Sequence, residues 1–386
     1  MIMRDPTAAA SPPKDPLPAM RPLGRDLQLD ACRGIALWFI FLDHIPNNIG
    51  SWFTLRNYGF SDATEVFMFV SGVTCAVAYG RTRRRQGWRG VVAHTLRRGW
   101  DIYAGFLLLI LACAIVVFTA GGGRLADDSN TRILFEQPGP TLLHAALLQY
   151  RPVNTDVLPT FVLFHLLFAP LLLALQRAPN MTLATSFGLY VLVQHFGWNI
   201  PAWPANGWYF NPLAWQLLFV LGAWWALRGR KRLRKQIASR TALWLAAGYL
   251  AFSLVVVMSW TLTPLTALVP DALARAIYPI DKPDLDPLRL LHFLALAMVA
   301  ASIVPRRRDG LLTPPLVAAI RCGENSLPIY CLGVLLALAG HIVLTRLSGA
   351  LAMQAAVSIA GILLMILAAN AITAAARLNR QRRGLF

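Results

Sequence analysis

An arginine and a histidine lie eleven residues apart in the first apolar run of the sequence, at Arg33 and His44. Eleven residues make about three helical turns, so in a helix both side chains lie on one face, about 16 Å apart. Arginine binds phosphate groups through a fixed fork of donors, and a neutral imidazole accepts a proton near pH 7. The pair is a candidate for binding an anionic ligand and for acid–base or nucleophilic chemistry. The alternative is that Arg33 forms an ion pair with Asp30 at the helix start and that His44 is an interfacial residue before a proline.

Acidic residues accompany both members of this pair. Asp30 precedes Arg33 by three residues, so the two side chains can pair at the helix start. Asp43 is adjacent to His44, and neighbouring residues do not face each other on a helix. Asp43 is therefore a poor candidate to orient the His44 ring directly, and a partner from another helix is expected.

The next apolar run begins with two further acids, Asp62 and Glu65, which share a helix face at about the depth of His44. The positive end of the helix dipole explains Asp62 well and Glu65 less well, because the apolar run has already started there. Both are candidates to orient the His44 ring. Ser71-Gly72, further along, indicates a close contact between helices.

Polar groups in later runs have simpler explanations beside functional ones. His165 and His292 are lone histidines, which inside a bundle more often make hydrogen bonds in packing than catalyse. Asn325 or Ser326 is a natural helix N-cap, with Pro328 in the first turn, although a phosphate at this helix start is an alternative.

An aromatic-rich segment covers residues 198–212 and contains Trp208 and Asn211. Flat rings beside asparagine side chains suit a sugar, and an aromatic belt at a membrane interface is the competing explanation for most of the rings. We take Trp208 and Asn211, beside a helix start, as the candidates for sugar contact.

The elements that must position these residues are membrane helices. Of the 386 residues, 56% are hydrophobic and 14% are charged, far fewer charges than a soluble domain carries. The net charge of +18 comes from short basic clusters between apolar runs, which disfavours nucleic acid as a partner. The five cysteines are scattered and show no metal-ligand spacing. Apolar runs of near-spanning length lie at 29–46, 62–80, 102–120, 157–175, 181–198, 211–228, 241–260, 288–304, 323–345 and 349–373.

The fold predicted from this pattern is all-α: a polytopic integral membrane protein with about ten transmembrane helices and both termini in the cytoplasm. With that orientation, 27 of the 36 Lys and Arg residues fall in segments placed in the cytoplasm. These segments are the N-terminal tail, the loops 81–100, 176–180, 229–240 (with Arg228) and 305–322, and the C-terminal segment 374–386. The predicted domain organisation is a disordered cytoplasmic tail over 1–26, a membrane domain over 27–376 and a basic cytoplasmic tail over 377–386.

Several strings resemble known proteins. Leu29-Asp30-x-x-Arg33-Gly34, then His44 and Phe67-x-Phe69-x-Ser71-Gly72, resemble the membrane acyltransferase family that modifies sugars at the cell surface, in which an Arg or Lys precedes the functional His by this spacing. From about Arg25 to Tyr330 the chain is similar to the OpgC branch, whose members are linked to succinylation of osmoregulated periplasmic glucans. The strings that carry this similarity run over 39–48, 59–65, 208–216 and 286–292.

The resemblance implies a transmembrane O-acyltransferase of the bacterial inner membrane. It would move an acyl group, expected to be succinyl, from cytosolic acyl-CoA to hydroxyls of a periplasmic glucan, with no metal. Arg33 would meet the donor, and His44 would act as base or take the acyl group first. The catalytic candidates are His44, Arg33, Glu65, Asp62 and Asp43. Candidates on the donor side are Arg33, Asp30, Ser71, Asn325 and Ser326, and those on the acceptor side are Asn47, Asn48, Trp208, Asn211, His165 and His292.

Two other classes of protein remain open. A transporter or flippase of a glycan or acyl intermediate also uses intramembrane charges at broken helices. A membrane scaffold of a glucan synthase would tolerate the loss of both Arg33 and His44. The acyltransferase hypothesis expects helix 1 to present both side chains along one side towards a shared cavity through the bilayer. It fails if that side faces lipid or if the two side chains line unconnected spaces. The sequence does not determine the oligomeric state.

Overall fold

The chain folds as an all-helical bundle. The computed structural model describes residues 27–229, 232, 239–266, 268–303 and 313–383. Among those residues there is no β-strand, and the one isolated bridge joins Pro201 to Gly207. The predicted all-α fold is confirmed. The tail predicted over 1–26 lies outside the described residues, as do the last three residues of the chain.

The helices vary widely in length. They are α1 (Leu27–Asp43), α2 (Ala63–Thr119), α3 (Arg124–Asp128), α4 (Arg132–Glu136), α5 (Pro138–Ala146), α6 (Val157–Leu166), α7 (Phe168–Arg177), α8 (Pro179–Phe196), α9 (Pro212–Trp224), α10 (Arg240–Met258), α11 (Thr263–Thr266), α12 (Asp271–Ile277), α13 (Pro287–Ile303), α14 (Pro314–Glu324), α15 (Ser326–Arg346) and α16 (Leu351–Arg383). Two 3₁₀ turns, Ile49–Phe53 and Leu55–Asn57, follow α1, and a π-helical turn, Trp225–Gly229, extends α9.

Each of the ten predicted apolar runs falls largely on a helix, but fewer of them meet a strict test for spanning. By length and composition, four helices in the described chain are long and apolar enough to cross a membrane: α2, α10, α15 and α16. Helices α6 and α7, bent by 58°, form a fifth span if the pair counts as one. The other apolar helices are shorter or more polar; α1 and α13 have 17 residues each. The helices indicate a membrane protein with four to five clear spans rather than ten.

Helix α2 joins two of the predicted spans. A straight helix of its 57 residues would be about 85 Å long, far more than a bilayer core of about 30 Å. The chain changes direction at Gly87, whose φ of 68° lies in the region open to glycine. The segment 81–100, predicted as a loop, is therefore helical on both sides of this break. A single glycine achieves the turn that we had assigned to a longer connection.

Helix α14 was not predicted. The segment 305–322 was assigned to a cytoplasmic loop, yet α14 occupies its second half and continues to Glu324. The signal for it is Thr313 followed by Pro314 and Pro315, since proline favours the first positions of a helix. At the other end of the chain, α16 extends to Arg383, so most of the basic segment 377–386 is helical.

Helix α1 packs against α14 at backbone contact. An added Cβ on Gly34 would lie 1.9 Å from the carbonyl oxygen of Ala319, and one on Gly323 would lie 1.9 Å from the carbonyl oxygen of Asp30. Each helix thus offers a glycine to the backbone of the other, which lets membrane helices approach closely. This reciprocal contact fixes the N-terminal half of α1, where Arg33 lies.

The first arm of α2 crosses α9 in the same way. A Cβ on Gly72 would lie 2.0 Å from the carbonyl oxygen of Phe219, and one on Gly222 would lie 2.1 Å from that of Phe69. The close packing predicted at Ser71-Gly72 is confirmed.

The interior face of α1 is buried rather than exposed to lipid. Leu37, Phe41 and Ile45 are 2% exposed or less. Beside α14, α1 contacts α2 and α15, so it lies in the middle of the bundle. The helix that carries both Arg33 and His44 is therefore enclosed by other helices.

We expect Gly72→Ala to destabilise the protein, because its methyl group would overlap the carbonyl of Phe219 and force α2 and α9 apart. Overpacking of this kind costs about 1–3 kcal/mol. Gly80→Ala on the same helix is the matched control, since a Cβ there meets no atom within 4 Å and alanine favours the helix. Thermal unfolding in detergent should show a lower midpoint for Gly72→Ala alone; equal midpoints for the two variants would contradict the close crossing.

Candidate active site

His44 lies in a polar cavity of about 770 Å³, the His44 cavity. Its floor and walls come from the end of α1, the start of α2, the segment before α6 and the segment before α13. Charged side chains that line it are Asp43, Arg56, Asp62, Arg151, Asp156, Lys282 and Arg289. Aromatic side chains that line it are Phe60, Phe67, Tyr209, Phe210, Trp260, Tyr278 and Tyr330. The volume lies within the range of about 300–1,000 Å³ that is usual for ligand pockets.

His44 continues the helical backbone just past the end of α1, with its N–H bonded to the carbonyl of Ile40 at 3.1 Å. Its neighbour Asp43 is engaged elsewhere. The Asp43 carboxylate accepts a hydrogen bond of 2.7 Å from the Thr54 hydroxyl, and the Asp43 carbonyl accepts one of 3.1 Å from Arg56. Asp43 thus secures the turn after α1, and it also lines the His44 cavity.

Asp62 and Glu65 begin α2 and form a buried ion cluster. Asp62 is the N-cap residue and accepts from the Thr64 N–H at 2.8 Å, while Glu65 accepts from the Asp62 N–H at 2.9 Å, completing a capping box. Arg289 of α13 donates to Glu65 at 2.8 Å and to Asp62 at 3.1 Å. Lys282 donates to Asp62 at 2.6 Å. Glu65 is 0% exposed.

Asp62 and Glu65 were predicted to orient the His44 ring, and this cluster corrects that prediction. In the described part of the chain, no hydrogen bond joins the His44 ring to Asp62 or Glu65. Their carboxylates are satisfied instead by the helix start and by Arg289 and Lys282, because a buried carboxylate without a cationic partner would be costly. Asp62 and Arg289 nevertheless line the His44 cavity, so the cluster shapes its wall.

A second ion pair lies just before α6, where Arg151 approaches Asp156 at 3.4 Å. Burial raises the pKa of the Asp156 carboxyl to about 6, and the positive charge of Arg151 opposes that rise. The Arg151 guanidinium also lies over the ring of Trp208, 5.1 Å from its centre. Both members of the pair line the His44 cavity.

Arg33 lies in a separate cavity of about 520 Å³, the Arg33 cavity. Its polar lining is rich in basic groups and includes Arg33, Ser71, Thr74, Cys75, His94, Arg97, Arg98, Asp101, His165, Glu324 and Ser326. The Arg33 guanidinium donates to the hydroxyl of Ser326 at the start of α15 and lies 5.9 Å from the centre of the Phe67 ring. A site with several basic groups of this kind suits an anion such as a phosphate.

The two cavities adjoin at a wall, which we call the central wall: Phe67, Val157 and Tyr330 line both of them. Phe67 packs edge-on against Phe161, with ring centres 5.6 Å apart, and the Tyr330 hydroxyl donates to the Asn154 carbonyl at 2.6 Å. A single cavity shared by Arg33 and His44 was expected, and that expectation is wrong for this conformation. Bulky rings fill the middle of the bundle and divide the space into two.

The donor-side candidates lie around the Arg33 cavity to different degrees. Ser71 and Ser326 line it. Asp30 is 2% exposed and sits in the α1–α14 contact. Asn325 occupies the N-cap position of α15, but its side chain makes no cap; it donates to the Arg321 carbonyl and to the Thr373 hydroxyl instead. Asn325 therefore ties α14 to α16.

Most of the acceptor-side candidates are buried residues that contact other parts of the fold rather than a cavity. Asn48 is 4% exposed and bonds to Ser358 of α16. Asn211 is fully buried, caps α9 through the Leu213 N–H and donates to Asp284. Trp208 is 3% exposed beneath Arg151. None of the three lines the two cavities, while their neighbours Tyr209 and Phe210 do line the His44 cavity.

The two histidines among these candidates lie in different places. His292 is 4% exposed, and its Nδ1 atom lies 2.7 Å from the Ser61 hydroxyl, so it braces the segment before α2. His165 lines the Arg33 cavity, with Nε2 at 3.6 Å from the Cys75 sulfur and Nδ1 at 2.9 Å from the Phe161 carbonyl. The structure thus places His165 on the side of Arg33 and not with His44. Asn47 lines a third cavity that also touches His44.

Sequence reasoning missed several residues of the site. Arg97 and Arg98 had been assigned to a loop, although they lie on the second arm of α2 and line the Arg33 cavity. Lys282 and Arg289 gave no local signal, because their partners Asp62 and Glu65 are more than 200 residues away. Among the described residues, no cluster of three or more His, Cys, Asp or Glu side chains is placed to hold a metal ion.

The fold and the cavities show what class of protein this is. It is an all-helical membrane protein whose bundle encloses adjoining polar cavities along one central helix. The family model described as OpgC protein matches residues 25–377, nearly the whole chain, and the chain therefore belongs to the OpgC family. This confirms the resemblance found in the sequence. No curated protein and no solved structure matches the chain.

We expect Arg289→Met to destabilise the protein by about 3–5 kcal/mol, because it leaves Asp62 and Glu65 buried with too little positive charge. Adding Glu65→Gln to this variant removes one of the buried negative charges that has lost Arg289 as its partner. The double variant should therefore recover part of the lost stability. Lys282→Met should cost less, since the Lys282 side chain is 26% exposed. Unfolding midpoints of the purified variants measure this order, and an Arg289→Met midpoint equal to wild type would rule out the cluster as a stabilising contact.

Proposed function

We propose that this protein is a transmembrane O-acyltransferase that moves an acyl group, expected to be succinyl, from acyl-CoA to hydroxyls of a glucan. Membership of the OpgC family suggests a glucan-modifying role of this kind. The observation that carries the proposal is that Arg33 and His44 lie on one helix and line adjoining cavities separated by three side chains. A donor and an acceptor held on the two sides of the central wall would be close enough to react once the wall opens.

The Arg33 cavity is the proposed donor site. Arg33, Arg97, Arg98 and His94 surround it with basic groups, which suit the phosphates of acyl-CoA. The Ser326 hydroxyl orients the Arg33 guanidinium. Because Arg33 also lies against Phe67, a ligand held by Arg33 would lie beside the central wall. We place this cavity on the cytoplasmic side, with both chain termini in the cytoplasm of a bacterial inner membrane.

The His44 cavity is the proposed acceptor site, facing the periplasm. His44 would take the proton from a sugar hydroxyl while the hydroxyl oxygen attacks the thioester carbonyl. The carbon–sulfur bond then breaks, and the CoA thiolate leaves and recovers a proton. In the alternative route, a ring nitrogen of His44 attacks the thioester carbonyl and CoA leaves as the carbon–sulfur bond breaks; the sugar hydroxyl then attacks the acyl-histidine, the carbon–nitrogen bond breaks, and His44 is regenerated. In either route the acyl group must pass the central wall, which requires the Phe67 and Tyr330 side chains to move.

We expect His44→Ala to lower the transfer rate by roughly 100-fold to 10,000-fold, the usual contribution of a general base. His195→Ala is the matched control, because His195 is exposed near the end of α8 and lines neither cavity. The measurement is mass spectrometry of glucan after incubation with succinyl-CoA and protein in nanodiscs, where both sides are accessible. Undiminished transfer by a correctly inserted His44→Ala protein would remove His44 from the mechanism.

Arg33→Gln should weaken CoA binding by roughly tenfold to a hundredfold, since it removes a charge-assisted hydrogen-bond donor. The control is Arg177→Gln, which changes an exposed arginine at the end of α7. Stabilisation of the native protein by CoA in a thermal-shift titration reports the affinity. A wild-type protein that CoA does not stabilise would favour a transporter or a scaffold instead.

A further inference from the structure

His44 faces a second space beside the His44 cavity. This side cavity has a volume of about 380 Å³ and lies between the end of α1, α3, the segment before α6 and α15. His44, Val153 and Asn154 line both spaces. None of the other catalytic or donor-side candidates lines the side cavity. Because His44 lines both the His44 cavity and the side cavity, it lies between two pockets rather than at the end of one.

The side cavity carries hydrogen-bonding groups suited to hydroxyls. The Asp128 carboxylate lies 3.7 Å from His341 Nε2 and 3.9 Å from Arg124 Nε. The Asp128 side chain is 46% exposed and that of His341 is 17% exposed, so both retain room for a ligand. Asn47 adds an amide, which can donate and accept. Packing defects between apolar helices would not be lined in this way.

Val153 and Asn154, which we call the divider, separate the two pockets beside His44. The N–H of Val153 donates to the Ser129 carbonyl at 3.0 Å, which ties the divider to α3. The Asn154 carbonyl accepts from the Tyr330 hydroxyl at 2.6 Å, which ties it to α15 and to the central wall. The divider therefore separates the His44 cavity from the side cavity, with one of these pockets on each side of His44.

The pocket on the other side of the divider, the His44 cavity, has aromatic rings in its wall beside its charged groups. Tyr209, Trp260 and Tyr278 line the His44 cavity, and the rings of Trp260 and Tyr278 are 4.5 Å apart. Flat apolar rings with a few polar groups fit the faces of sugar rings, while the side cavity offers polar groups for their edges. Both volumes lie in the usual range for ligand pockets.

From this arrangement we propose that the acceptor is a saccharide chain that runs past His44, with neighbouring sugars in the His44 cavity and in the side cavity. The inference rests on the proposed acyl transfer and specifies its substrate. The acylated sugar is then an internal residue of the chain, because a terminal sugar would leave one pocket empty. The side cavity contributes affinity only for acceptors long enough to reach it.

The test compares acceptors of increasing length, from a methyl glucoside to a linear hexasaccharide of glucose, with the full-length protein in nanodiscs and succinyl-CoA as donor. Asp128→Ala removes the central carboxylate of the side cavity. It should raise KM for the hexasaccharide about tenfold, as expected for one lost charge-assisted hydrogen bond, and leave kcat and the methyl glucoside kinetics unchanged. Asp127→Ala is the matched control, because this adjacent acid pairs with Arg132 outside the cavity.

Product mapping gives a second, independent readout. Tandem mass spectrometry of the acylated hexasaccharide should place the acyl group on internal glucose units. Acylation confined to terminal units would overturn the inference, as would an Asp128→Ala protein whose KM for the hexasaccharide equals that of wild type. In both cases the proposed acyl transfer stands as long as wild type transfers and His44→Ala does not. Absence of transfer by wild type to every acceptor would refute the proposed function together with the inference.

Discussion

Backbone contact between pairs of helices is the constraint on which the arrangement of the site depends. Gly34 and Gly323 bring α1 against α14, and Gly72 and Gly222 bring α2 against α9. In a membrane the hydrophobic effect does not favour helix pairing, so close packing at small residues supplies much of the attraction. Because Arg33 lies in the N-terminal half of α1 and His44 directly follows its last residue, a displacement of this one helix would disturb both cavities at once.

The ion cluster at the start of α2 serves a different purpose. A buried ion pair adds little net stability, since desolvation offsets most of the attraction, but breaking one is costly. Asp62 and Glu65 hold Arg289 of α13 and Lys282 of the preceding segment. The cluster thus specifies where these distant parts of the chain meet α2. It forms one side of the His44 cavity while leaving the imidazole free of a carboxylate partner in that cluster.

The central wall explains how two polar cavities can coexist on one helix. A continuous polar passage would let water and ions cross the bundle, whereas side chains in its middle exclude both. Phe67, Val157 and Tyr330 fill that position, and Tyr330 is also bonded to the Asn154 segment beside His44. The central wall is therefore connected through one hydrogen bond to the divider beside His44.

The sequence determined the features that depend on local composition and spacing: the all-helical fold, the apolar runs, the close contact at Gly72, the common helix of Arg33 and His44, and the family. Helix α14 and the continuous α2 were missed because one depends on a short proline-led start and the other on a single glycine. Other features were decided by the tertiary structure alone. Asp62 and Glu65 pair with Arg289, and Asn211 is a buried N-cap of α9. The rings of the central wall divide the interior into two cavities. The physical reason is that these contacts join residues far apart in the chain. Local periodicity in the sequence does not predict which distant buried polar groups will form hydrogen bonds or ion pairs with each other.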